Sequence, residues 1–172
     1  MKLKICGVAA ASAGETLREL IRKADQTTVD LIEIRIDYLD DFIEPAEIRK
    51  QTSKPLIATN RPRWEGGFFR GGEPERIDTL TLAAAAGFDY VDVESKTKDL
   101  KALVGRLRRL GAKSIISFHD QKATPTIDRL LSIYNAQVKS GATVCKIVTK
   151  ATRPSDNLRL FRLLESSQRR KP

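Results

Sequence analysis

Six short apolar, β-branched runs alternate along this chain with six longer stretches of helical periodicity, and that alternation limits the fold more than any other feature. The spacing predicts strands near 3–9, 30–37, 55–60, 90–94, 113–118 and 143–149. It predicts helices near 13–26, 45–52, 74–86, 97–110, 124–140 and 154–169. Strand–helix–strand order makes βαβ units, whose strands run parallel because the crossover carries the chain back to its starting end. Pro45, Pro74, Pro125 and Pro154 stand near helix starts, where proline is tolerated, and Gly87, Gly111 and Gly141 stand where helices should stop. No linker or low-complexity stretch interrupts the series. The 172 residues therefore read as a single domain, 1–172, long enough to bury a sizeable core.

Six such units fit either a doubly wound sheet or most of a (β/α)8 barrel. A doubly wound nucleotide fold needs a glycine-rich turn after an early strand, and neither a GxGxxG nor a P-loop pattern occurs. Gly66, Gly67, Gly71 and Gly72 lack that spacing. They lie in a long segment with Trp64, Phe68, Phe69 and Arg70, which reads as a mobile substrate loop. Charged residues recur instead within and just after several strands, as they do at the mouth of a barrel. The expected fold class is α/β, of the (β/α)8 TIM-barrel family, here six βα units of an incomplete barrel.

Composition removes other function classes. No apolar run approaches the roughly 20 residues that span a bilayer, so no membrane partner is expected. The N-terminus, Met1 to Val8, has no signal-length apolar segment and reads as a first strand, which places the protein in the cytoplasm. Cys6 and Cys145 show no CxxC spacing and sit in strand-like runs, as structural thiols do. With one histidine in the chain, no metal site is expected. The net charge of +9 is spread over positions such as Arg106, Arg108, Arg109 and Arg129, which suits a small anionic substrate. The densest cluster, Arg169, Arg170 and Lys171, reads as a solvated helix end. Basic residues come without a recognition motif or stacking platform, so no nucleic-acid partner is expected.

Lys146 interrupts the apolar run Thr143 Val144 Cys145 Lys146 Ile147 Val148, which otherwise reads as a buried parallel strand. An amine desolvated in such a setting becomes a nucleophile toward carbonyls, the usual origin of a Schiff-base lysine. A lysine that snorkels from the strand end or pairs with a carboxylate would leave the same mark in the sequence.

Other strands carry charge at matching places. In Leu31 Ile32 Glu33 Ile34 Arg35 Ile36 Asp37, the two-residue period puts Glu33, Arg35 and Asp37 on one face. Helices cover the outer face of a βαβ sheet, so that polar face looks into the barrel, where a carboxylate and a guanidinium can grip a polyhydroxylated substrate. Strand three ends in Thr59 Asn60 Arg61, and Glu65 follows in the glycine-bearing loop. Asp92 and Glu94 recur two residues apart on strand four, either as chemistry or to neutralise Lys146 or Arg35. Strand five ends in Ser117 Phe118 His119 Asp120, one βα unit before Lys146, so the histidine can serve the lysine as a proton shuttle.

With these five segments in register, Glu33 to Asp37, Thr59 to Arg61 with Glu65 Gly66 Gly67, Asp92 to Glu94, Ser117 to Asp120, and Cys145 to Ile147, the chain resembles the type I 3-dehydroquinate dehydratases. The resemblance covers essentially all 172 residues. It implies that Lys146 condenses with the C3 ketone of 3-dehydroquinate and that the protonated imine draws electrons as the C2 proton leaves. It makes His119 the proton shuttle, Glu65 the residue that orients it, and Glu33, Arg35 and Arg61 the groups that hold the substrate's hydroxyls. The implied product is 3-dehydroshikimate, formed in the shikimate pathway without metal or organic cofactor.

The same resemblance implies eight βα units, of which six are visible before Lys171 Pro172. The family's carboxylate-binding arginine, and a serine and glutamine from a loop that closes over the site, find no counterpart, with Arg70 and Arg153 the candidate replacements. Strands one and six are expected to be open edges, with weakened substrate binding and turnover. Two alternatives stand beside the dehydratase: another Schiff-base barrel such as a class I aldolase, and a non-catalytic barrel that self-associates through its edges, with a homodimer as its simplest form.

Overall fold

The computed structural model describes residues 3–169. The cluster Arg169, Arg170 and Lys171, read above as a solvated helix end, lies outside the residues whose side chains are described. Six strands, β1 (Cys6–Ala9), β2 (Leu31–Arg35), β3 (Leu56–Thr59), β4 (Tyr90–Glu94), β5 (Lys113–Asp120) and β6 (Val144–Thr149), alternate with six helices. The helices are α1 (Gly14–Asp25), α2 (Pro45–Arg49), α3 (Glu73–Ala85), α4 (Leu100–Arg109), α5 (Ile127–Lys139) and α6 (Pro154–Arg169). The strands form one all-parallel sheet in sequence order, β1 to β6. This is the expected α/β arrangement of six barrel units.

The outer sheet face carries Ile32, Ile34, Leu56, Ala58, Val91, Val93 and Ile116, all fully buried against helix residues such as Leu17, Ile21, Leu80, Ala83, Val104 and Leu107. Each large aliphatic side chain buried here contributes about 1.5–3 kcal/mol of transfer free energy, so the helix–sheet layer holds the fold and the other face is left for polar groups. On that inner face the register aligns Arg35 with Thr59, Thr59 with Asp92, Glu94 with Ser117, and Ser117 with Lys146. The sheet is curled. Lys146 on β6 reaches to 3.5 Å from Glu33 on β2, four strands away, whereas a flat sheet would separate those strands by roughly 19 Å.

Several boundaries differ from the sequence expectation for local reasons. Residues 3–5 have no ladder partner, because β2 begins only at Leu31 and Asp30 instead bonds Ile5 from both its backbone and its carboxylate. Ile36 to Tyr38 leave β2 as a turn of 3-10 helix, so Asp37 does not share the strand face of Glu33 and Arg35. β5 runs on through His119 and Asp120. α2 stops at Arg49, whose guanidinium turns back onto the carbonyls of Thr52 and Lys54. α4 waits until Leu100 because Asp99 takes a left-handed conformation, φ 52°. β6 is not the buried strand expected from its apolar run: it is the last of the sheet, and Val144 and Val148 are 42% and 41% exposed. For the same reason Cys6, on the opposite edge strand, is exposed instead of being a buried structural thiol, while Cys145 is half-buried.

Candidate active site

The inner face gathers one connected set of charges along β2, β4, β5 and β6 and just after β3. Lys146 Nζ lies 3.0 Å from Asp92 Oδ2 and 3.5 Å from Glu33 Oε1, with its side chain about one-third exposed (32%). The desolvated amine expected from the sequence is therefore a half-open ion pair, since nothing covers the far side of β6 in the described residues. Asp92 is buried and takes three charged or hydroxyl partners, adding Arg61 Nη2 at 2.7 Å and the Ser117 hydroxyl, which donates to Oδ1 at 2.6 Å. Such charge-assisted bonds are short and strong, and they fix the carboxylate before any ligand arrives. Glu33 Oε1 also accepts from the Thr59 hydroxyl at 2.7 Å. Behind the lysine, the buried Gln137 of α5 donates to the Lys146 carbonyl at 3.2 Å.

His119 pairs with Glu65, Nδ1 to Oε2 at 2.8 Å, with Glu65 buried and His119 partly buried. Glu65 comes from a turn of 3-10 helix at Arg63–Glu65, and the two glycines after it explain how it gets there. Gly66 is in the left-handed region, φ +80°. Gly67 lies so close to the preceding chain that a Cβ there would stand 2.0 Å from the Arg61 carbonyl oxygen. The segment read above as a mobile substrate loop is cross-braced. Gly67 donates to Pro62 at 3.0 Å, Phe69 donates to Arg61 at 3.2 Å, and Pro62 bridges to Phe69.

Arg61 joins the two groups. Its Nη1 lies 2.6 Å from Glu94 Oε1, 2.6 Å from the Ser117 hydroxyl and 3.9 Å from Glu65 Oε2. Burial disfavours charge on Asp92, but Arg61 and Lys146 outweigh it and hold the carboxyl below its ordinary value. At Glu94 burial wins, and pushes the carboxyl up to about 7 against the pull of Arg76 and Arg61. Glu94 Oε2 has no directed hydrogen bond, although Arg76 Nη1 stands 2.5 Å away, so that tie is a charge contact.

The sequence-derived residues Glu33, Glu65, Arg61, His119 and Lys146 thus sit in one constellation with Asp92, Glu94 and Ser117. Arg35 lies on the same strand face but turns to Asp37, with bonds of 2.9 and 2.8 Å, and its guanidinium covers the Tyr38 ring at 4.6 Å. Asp92 and Glu94 neutralise Lys146 and Arg61 and not Arg35, whose partner is Asp37. The candidate carboxylate-binding arginines stand elsewhere: Arg153 is tied to Asp156 at 3.3 Å, and Arg70 lines a cavity of about 400 Å3 with Asp37, Asn60 and Phe68. Sequence reasoning missed the role of Ser117, which only the β4–β5–β6 register reveals, and that of Gln137, whose signal is a lone amide on the buried face of a helix. It also left Asp92 undecided, although the two-residue period already placed it inward. A partly accessible amine, an imidazole held by a carboxylate and a prearranged bed of carboxylates can form and protonate a carbonyl adduct.

Comparison with known proteins shows which family the chain is similar to. A family model described as type I 3-dehydroquinase matches residues 5–172. The chain is 35% identical over 170 residues to the bifunctional 3-dehydroquinate dehydratase/shikimate dehydrogenase of Arabidopsis thaliana chloroplasts, spanning 95% of this chain and 28% of that one. It is 31% identical to the 3-dehydroquinate dehydratase of Pyrococcus abyssi, spanning 92% of this chain and 73% of the relative. In fold it superposes on the type I 3-dehydroquinate dehydratase of Clostridium difficile, solved with covalently modified comenic acid, with a TM-score of 0.88 at 24% identity over 93% of this chain and 68% of that one. Both relatives are named as 3-dehydroquinate dehydratases, the first as a bifunctional protein, and the family match extends across all six strands and the turn that carries Glu65. This chain belongs to the type I 3-dehydroquinase family.

Proposed function

We propose that this chain dehydrates 3-dehydroquinate to 3-dehydroshikimate through an imine on Lys146, and that it does so in the cytoplasm with no metal or organic cofactor. The observation that carries the reading is the position of Lys146 Nζ, accessible on the concave face between Asp92 and Glu33, one strand from the His119–Glu65 pair. Lys146 gives up a proton and its nitrogen attacks the C3 carbonyl carbon; loss of that oxygen as water leaves the protonated imine. The imine accepts the electron pair released when the C2 proton departs. Those electrons then form the C1–C2 double bond as the C1 hydroxyl leaves, protonated, as a second water molecule. Addition of water across the imine returns the Lys146 amine and frees the enone. His119 carries protons in these steps, and Glu65 holds its ring in place through Nδ1, leaving Nε2 for the substrate. Glu33 and Arg35, both partly open to solvent, take ring hydroxyls. Arg61, enclosed by Glu94, Asp92 and Ser117, contributes charge at the pocket wall.

Borohydride reduction in the presence of 3-dehydroquinate tests this. The expected result is a covalent mass increase mapped to Lys146 and lost in Lys146→Ala. An unmodified protein, or an adduct on another lysine, overturns the reading.

A second reading, self-association, draws on exposed apolar side chains at the two edges of the sheet: Ile5 and Val8 at the β1 edge, and Val148 on β6 with Leu158, Phe161 and Leu164 on α6 at the other. Sizing across a concentration series tests it. A shift from monomer to dimer with rising concentration supports it, and an unchanging monomer excludes it.

A further inference from the structure

Arg76 is a fully buried cation on α3, in the helix layer outside the sheet, and the mechanism above does not use it. Burying a guanidinium is costly unless it is paired, and here every donor has a partner. Nε and Nη2 bind the two oxygens of Glu73 at 2.7 and 2.6 Å, Nη2 also meets the Thr97 hydroxyl at 3.1 Å, and Nη1 donates to the Asn60 carbonyl at 3.3 Å. The bidentate pair with Glu73 already neutralises Arg76. Its further contact, Nη1 to Glu94 Oε2 at 2.5 Å, places Glu94 between two guanidinium groups, because Glu94 Oε1 lies 2.6 Å from Arg61.

That sharing has a consequence at the mouth. Arg61 faces four carboxyl or hydroxyl groups, namely Glu94, Asp92, Glu65 and Ser117, and Glu94, held from its other side by Arg76, fixes where the guanidinium stands among the other three. Asp92 and Glu65 are in turn the carboxylates that hold Lys146 and His119. We propose that Arg76 is a positioning residue: through Glu94 it fixes the Arg61 guanidinium against Asp92 and Glu65, and so sets how tightly those carboxylates hold Lys146 and His119. The catalytic consequence rests on the imine reading above; the electrostatic one does not.

His119 is the chain's one histidine, so its imidazole resonance can be followed by NMR without ambiguity. The groups that face it are Glu65, and Arg61 behind Glu65. In Arg76→Met the Glu94 carboxyl, already pushed up to about 7, loses the cation that most opposes its burial and is neutral near neutral pH, so it releases Arg61. The His119 resonances then move in the same direction as in Glu94→Gln, and Lys146 adducts trapped with borohydride accumulate roughly tenfold more slowly in both variants. Arg76→Lys restores part of both. The Arg76→Met/Glu94→Gln double variant is no further from wild type than either single variant, because both act through one carboxylate. Additive effects in the double variant, or wild-type His119 resonances in a folded Arg76→Met protein, overturn the proposal; if that variant does not fold, wild-type His119 resonances in Glu94→Gln do so. Failure of the wild-type chain to form any adduct defeats the dehydratase reading instead, and leaves the His119 resonances to decide the role of Arg76.

Discussion

Lys146 Nζ is 3.0 Å from Asp92 Oδ2, and that same oxygen is 2.7 Å from Arg61 Nη2. One buried carboxylate oxygen therefore serves both the candidate nucleophile and the arginine that ties the site together. Removing one partner of a buried charge cluster leaves the other uncompensated, which costs on the order of 3–5 kcal/mol. Asp92→Asn is expected to lower the free energy of unfolding by that order, read by urea titration, and to cut the yield of Lys146 adduct. Wild-type stability in this variant would show that Asp92 is not the hub of the cluster.

His119 and Glu65 divide along different lines. His119→Ala removes the proton carrier but leaves Lys146 and its carboxylates untouched, so turnover should fall by roughly 10²–10⁴-fold while slow trapping of the imine persists. Glu65→Gln keeps a hydrogen-bond acceptor near Nδ1 but loses its charge, and a smaller loss is expected. Steady-state formation of the conjugated enone, followed in the near ultraviolet, measures both, and equal losses in the two variants would argue that Glu65 does more than orient the ring.

Gly67→Ala tests how the loop places Glu65. The added Cβ would stand 2.0 Å from the Arg61 carbonyl oxygen, a contact that backbone must move to relieve. The expected outcome is a protein with a lowered Tm whose His119 resonance no longer reports a carboxylate partner. Gly72→Ala is the control, since the nearest atom to its Cβ would be Pro74 Cδ at 3.6 Å, an ordinary contact.

Much of this architecture was legible in the residues because two periods coincide. The βα alternation fixed strand order, and the two-residue period within strands put Glu33, Asp92 and Lys146 on the face that the helices do not cover. Prolines 45, 74 and 154 do open their helices. What the sequence did not carry is distance across the sheet. The pairing of Lys146 with Glu33, four strands away, depends on curl, and the bond from Ser117 to Asp92 depends on register. Asp37 was misplaced because β-branched Ile36 extended the apolar alternation past the point where the chain turns. Arg76 escaped notice because a cation in an amphipathic helix reads as solvent-facing until the strand ends beneath it are known.

Acid should loosen α6 before the rest of the molecule. Asp156, at the third position of that helix, accepts from the Thr152 backbone N–H at 2.9 Å, the Thr152 hydroxyl at 3.0 Å and the Arg153 backbone N–H at 3.3 Å, and pairs with Arg159 at 3.0 Å. The backbone bond from Thr152, with its hydroxyl and Arg153 adding, holds the Asp156 carboxyl down to about 2. A carboxyl depressed in the folded state stabilises it fully above the unfolded value of roughly 3.9, and that contribution drains away as pH falls toward 2. Amide exchange across α6 is therefore expected to accelerate between about pH 4 and pH 2, ahead of exchange in α3 and β4. In Asp156→Asn the helix start is weaker at neutral pH and the acid-dependent step is gone. An acid-dependent step of unchanged size in that variant would place the sensitivity in another carboxylate.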